Sequence, residues 1–134
     1  MPKVGDTFTI SLKETHLGWG THRYTDTRSP IPRECYIPIP SCDARRIGIY
    51  NSNYTNNEDI IGTNIFKATS SDGYFCDRVK SSGNSKAGDK YAKNLSGAGN
   101  LKAFSDWFRQ MNVCPGTQIQ IEWTSPIDIL FTIL

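Results

Sequence analysis

Residues 18–28, GWGTHRYTDTR, gather Trp19, Thr21, His22, Arg23, Tyr24, Thr25, Asp26 and Arg28 among small polar residues, with no apolar periodicity. A second segment of this kind, KSSGNSKAGDK at 80–90, follows Arg78 and carries Lys80, Ser82, Asn84, Lys86, Asp89 and Lys90. These side chains share the hydrogen-bonding chemistry of bases and phosphates. An arginine fork meets guanine O6 and N7, asparagine does the same for adenine, and aspartate accepts from cytosine N4. Lysine ammoniums and Ser, Thr and Gly amides hold phosphate oxygens. Trp19 and Tyr24 either pack at the base of their segment or meet thymine methyls and sugars.

Charge placement points the same way. The formal net charge is only +2, so no global field announces a polyanionic partner. Four basic residues lie between Lys13 and Arg33 and six between Lys67 and Lys93, ten of the fifteen Lys and Arg in about a third of the chain. Loops are where lysines commonly sit, so clustering alone decides nothing. The residue types carry the argument.

Other chemistries find little support. His16 and His22 stand near Glu14 and Asp26, a composition that would allow a metal ion, but two surface histidines in a polar segment account for the pair and no metal is assigned. Cys35, Cys42, Cys76 and Cys114 form no C-x-x-C pair, so they are expected to be reduced residues of strands or loops rather than zinc ligands. There is no G-x-S-x-G elbow, H-E-x-x-H helix, P-loop or H-x-K pattern, and Asp77-Arg78-Val79-Lys80 has the wrong spacing for a metal-dependent nuclease. The chain is therefore expected to have no catalytic centre and no cofactor.

With 134 residues the chain has the length of one domain, 1–134, able to bury a core of its own. No apolar run approaches the ~18 residues that a membrane span needs. MPKVGDTFTI lacks the apolar stretch of a signal peptide, which argues for the cytoplasm; the sequons at Asn53 and Asn94 then carry no meaning.

The elements that must position these segments are short. Asp6 to Leu12 alternates Phe8, Ile10 and Leu12 against polar residues, the period of a half-buried strand. Glu34 to Pro40 reads as a strand confined to an edge by Pro38 and Pro40. Ser41 is placed as the N-cap of a short helix ending near Gly48. IIGTNIFKATS reads as one or two strands, Ser70 to Gly73 as a hairpin turn, and YFCDRV as the returning strand. Leu101, Phe104, Phe108 and Met111 line one face of a helix stopped by Pro115-Gly116. TQIQIEW alternates, with Trp123 expected in the core, and DILFTIL is apolar enough to be central. The sum is a mainly β (α+β) domain, an open pseudobarrel of about seven strands capped by two short helices.

This layout resembles the B3-type DNA-binding pseudobarrel, closest to the effector (target-recognition) domains of restriction endonucleases of the EcoRII and BfiI kind. The residues that carry the resemblance are Tyr36-Ile37-Pro38 before the first helix and Gly97-Ala98-Gly99-Asn100-Leu101-Lys102-Ala103-Phe104 leading into the second. The resemblance implies sequence-specific binding of double-stranded DNA, its major groove held between two arms. The N-arm would be Trp19 to Arg28 and the C-arm Arg78 to Lys90, with the Ser70 turn a rival placement for the latter. It also implies a nuclease domain elsewhere in the same polypeptide. Two other readings stay open: an RNA- or modified-base-binding barrel with a cage drawn from Trp19, Tyr24, Tyr74 or Phe75, and a protein or carbohydrate interaction module using Trp19 and Trp123. Tyr74 and Phe75 are adjacent in a strand pattern, so only one of them can line a cage.

Overall fold

The structure, a computed structural model, describes residues 2–13, 35–52, 60–83, 90–98 and 103–134. All eight N-arm residues from Trp19 to Arg28 lie outside the described residues, as do His16, Asn84, Lys86, Asp89 and Leu101. Among the described residues the chain forms β1 (Thr7–Ser11), β2 (Ile37–Pro38), α1 (Ser41–Ile47), β3 (Ile65–Ser70), β4 (Cys76–Ser82), β5 (Asn94–Gly97), α2 (Ala103–Gln110), β6 (Gln118–Trp123) and β7 (Asp128–Ile133). The strands make one sheet in the order β1-β6-β7-β3-β4-β5-β2, nearly closed into a barrel. The expected class, a mainly β open barrel with two short helices, is the one the chain adopts. No helix among the described residues is long and apolar enough to cross a membrane.

Period-two segments fold as their pattern dictates. Ile119, Ile121 and Trp123 of β6 point into the core while Gln118, Gln120 and Glu122 face out, in register with Phe8 and Ile10 of β1. β7 is interior, as its apolar run suggests, paired antiparallel to β6 and parallel to β3. β5 was not legible: NLSG offers only Leu95 to the core, too little for a period. The stretch 60–70 holds one strand, with Ile61 only in an isolated bridge to Ile65.

The helix ends differ from expectation. Pro40, not Ser41, is the N-cap of α1: its φ of −58° and ψ of 140° aim its carbonyl at the amides of Asp43 and Ala44, both at 3.0 Å, and Ser41 is already helical. At the other end Gly48, with φ of 83°, lets two amides, its own and that of Ile49, reach the Ala44 carbonyl. α2 stops at Asn112 rather than at Pro115. The φ of Asn112 is 53°, its amide bonds Arg109 and the next bonds Phe108, the crossed pair that satisfies the last carbonyls. Pro115-Gly116 instead makes a turn, Thr117 amide to Cys114 carbonyl, that ties onto Leu12 at the end of β1.

The core is aromatic under α2. Phe75 stacks on Phe104 with centroids 5.0 Å apart, and Trp107 stacks on Phe131 at 5.7 Å. Such pairs contribute ~0.5–1.5 kcal/mol each beyond their buried area. Trp123 is fully buried, as expected, with Phe66 edge-on at 5.5 Å, and its Nε1 finds no acceptor among the described residues.

One polar anchor fastens α2 to the sheet. Trp107 Nε1 donates to Asp72 at 3.0 Å in the Ser70–Gly73 turn, and the same carboxylate accepts from Ser70 Oγ and the Tyr74 amide. The four-residue turn is thus bonded to a helix.

The two sheet edges, β1 and β2, are not paired with each other. They line a cleft of about 450 Å³ floored by Ile10 and Ile39. Helix α1 bridges from β2 to the far edge, where Arg46 Nη2 donates to the Thr7 carbonyl at 2.9 Å and to Asp43 at 2.8 Å.

Burial raises the Asp72 carboxyl, but the Ser70, Trp107 and Tyr74 hydrogen bonds hold it below the usual carboxylate range. Burial likewise works against the Asp6 carboxylate, and bonds from the Lys3 amide and ammonium, with Arg46 nearby, leave it lowered. Both therefore bind fewer protons folded than unfolded, so they stabilise above the unfolded carboxylate range and lose that contribution as pH falls through their folded values. Asp72→Ala strands a buried indole N–H and should cost ~1–3 kcal/mol in urea unfolding at neutral pH, with a flatter loss of stability in acid. All four cysteines are free, and Cys42 lies in α1 rather than a strand or loop. With Cys35 buried, a thiol reagent should label Cys42, Cys76 and Cys114 in the native protein and Cys35 only on unfolding.

Candidate nucleic-acid interface

Following the pairings around the sheet fixes each strand's direction: β1, β7, β3 and β5 run one way, and β6, β4 and β2 the other. The chain therefore leaves β1 and enters β2 at one end of the barrel. The β4–β5 connection lies at the opposite end. Helix α2 and the Ser70 turn share the first end, and α1 the second. Between them stands a wall made of β4, β5 and β2.

On that wall the period of two decides what faces out. Val79 and Ser81 of β4 are fully buried, so Arg78, Lys80 and Ser82 project outward. The register sets Arg78 opposite Lys67 of β3, Lys80 opposite Ser96 of β5, and Ser82 opposite Asn94. Ser82 Oγ donates to Asn94 Oδ1 at 2.9 Å. Arg78, Lys80 and Ser82, assigned to the C-arm, are thus strand residues, because the polar alternation KSS continues β4 and does not begin a loop.

The connection beyond Ser82 starts from a rigid base. Ser81 Oγ donates to the Tyr50 carbonyl at 2.7 Å, and the Ser52 amide bonds the Ser81 carbonyl. A Cβ on Gly83 would come within 3.1 Å of the side-chain Nδ2 of buried Asn51, a contact tight enough that Asn51 would have to give way by a few tenths of an ångström. The returning chain is equally tied, with the Asn51 amide on the Lys90 carbonyl, the Ala92 amide on Ile49 and the Ile39 amide on Lys93.

Lys90 takes a place that its expected role did not suggest. Its Nζ sits 5.5 Å from the Tyr50 ring centroid and 5.6 Å from that of Tyr91, above two rings stacked 5.8 Å apart. Tyr50 and Tyr91 are 41 positions apart, joined only by an isolated bridge, and no local pattern relates them. The same fold places Arg45 of α1 beside Lys90 and Lys93. Sequence reasoning passed over Arg45 because a helix hid it among scaffold residues.

The rings expected for the competing readings divide. Tyr74 is 49% exposed, while Phe75 and Trp123 are buried in the core and unavailable to a base or a sugar. Lys90→Gln should cost ~0.5–1 kcal/mol in urea unfolding through the lost cation–ring contact, and Lys90→Arg should retain it. Comparison with family models, with curated proteins and with solved structures found no match for this chain.

Proposed function

We propose that the chain binds double-stranded DNA sequence-specifically, two arms entering the major groove from opposite ends of the barrel. In this reading it is the recognition domain of a restriction endonuclease, and cleavage belongs to a nuclease domain of the same polypeptide. The observation that carries the reading is topological. The β1–β2 connection, with Arg23 and Arg28, and the β4–β5 connection, with Lys86, leave opposite ends of one barrel. The wall between them turns Arg78, Lys80, Ser82 and Asn94 outward. A duplex laid along that wall has phosphate-binding side chains beneath it and a polar segment at each flank.

Selection from a randomised duplex pool at moderate salt tests this directly: an enriched motif of a few base pairs is expected, and no binding even at low salt refutes it. On the selected site Arg23→Ala should lose ~1–3 kcal/mol of discrimination while leaving non-specific binding nearly unchanged. Lys80→Ala should weaken every sequence alike and lower the salt slope by about one.

A further inference from the structure

At the barrel end where α1 packs, a concavity of about 250 Å³ is lined by Ser41, Arg45, Lys90, Tyr91, Ala92 and Lys93. Three of the six lining residues among those described are cationic, Arg45, Lys90 and Lys93. Cationic side chains converging on one hollow make it a favourable place for an anion. The hollow is also firmly built. Backbone bonds from Asn51, Ala92, Lys93 and Ile39 fix the 90–93 segment on both sides, and the Tyr50–Tyr91 stack holds the Lys90 ammonium. Its volume falls below the ~300–1,000 Å³ of a site for a drug-sized ligand and is several times the ~30 Å³ share of one water. A phosphate group and its ester oxygens fit that space.

We infer that Arg45, Lys90 and Lys93 form a phosphate-binding site at the foot of the β4–β5 connection. The ligand is a phosphate ester, from the backbone of a bound duplex or from a free phosphorylated compound. The backbone source rests on the DNA-binding reading above; the site itself does not. In its duplex-bound form the site positions the molecule without reading sequence, since a phosphate carries none.

The test is titration of the ¹⁵N-labelled chain with inorganic phosphate, against chloride at equal ionic strength. Saturable shifts confined to the amides of Arg45 and residues 90–93, absent in R45Q/K93Q and restored in R45K/K93R, are expected. R45Q/K93Q should unfold at the same urea concentration as the parent chain. Loss of the phosphate shifts on adding duplex, with a salt slope lower by about one in R45Q/K93Q, assigns the site to the DNA backbone. Phosphate shifts that persist beside bound duplex assign it to a free phosphorylated compound. Saturation by phosphate in a chain that binds no duplex keeps the site and overturns the DNA-binding reading. Duplex binding with an unchanged slope in R45Q/K93Q, and no phosphate shift beyond the chloride control, overturns the site and leaves that reading standing.

Discussion

Among the described residues, a sheet of seven strands that curls without closing leaves two unpaired edges and two open ends, and each exposes groups that must be satisfied. The rest of the molecule answers that constraint. Edge β2 is cut to two residues, with Pro38 inside it and Pro40 two positions beyond it, so it offers few donors to a stranger. Edge β1 has the Thr7 carbonyl taken by Arg46, whose own geometry Asp43 fixes. That requires α1 to follow β2 at once and to run across the seam, as Pro40 and Gly48 make it do. The opposite end is filled by Phe104, Trp107 and Phe108 of α2, pinned in rotation by the Asp72 carboxylate.

The helices thus stand at opposite ends, and the β1–β2 and β4–β5 connections are divided between those ends. Rigidity at the base of the second connection comes from buried polar contacts rather than from apolar packing. Ser81, Asn51 and Ser52 are all buried at its root, and Ser81 is bonded through side chain and backbone alike. An interaction surface gains from this arrangement, because a loop aimed by a fixed foot loses less conformational freedom on binding than one hung from a frayed strand.

Where a side chain's partner is near in sequence, or where a period repeats, the chain could be read directly. Phe8 with Ile10, Ile119 with Ile121 and Trp123, and Phe104 with Phe108 all announced their faces. The failures share a cause. NLSG pairs on both sides because its neighbours β4 and β2 need a partner, not because Leu95 alone asks for one. Asn112 ends α2 through backbone shape that composition hardly signals. Lys80 looked like loop because its neighbours are serines, yet the ladder with β5 outweighs their weak strand preference. The Tyr50–Tyr91 stack and the meeting of Arg45 with Lys93 are products of topology, invisible until β5, α1 and the bridge at position 50 are assembled.

Strand β7 has a bearing on how the domain comes together in time. It is the last strand in chain order, yet it lies third in the sheet and carries the parallel ladder to β3. Without it, β1 and β6 form one fragment and β3, β4, β5 and β2 another, with no ladder between them. The β1–β6 pairing itself spans more than a hundred residues, Thr7 to Glu122. During synthesis the earlier strands must therefore wait with an incomplete hydrophobic face. Loop-closure entropy opposes the assembly until the 128–133 stretch has cleared the ribosome. A barrel ordered this way cannot complete its sheet before its last strand is made, and its nascent form is the state in which a chaperone would meet it.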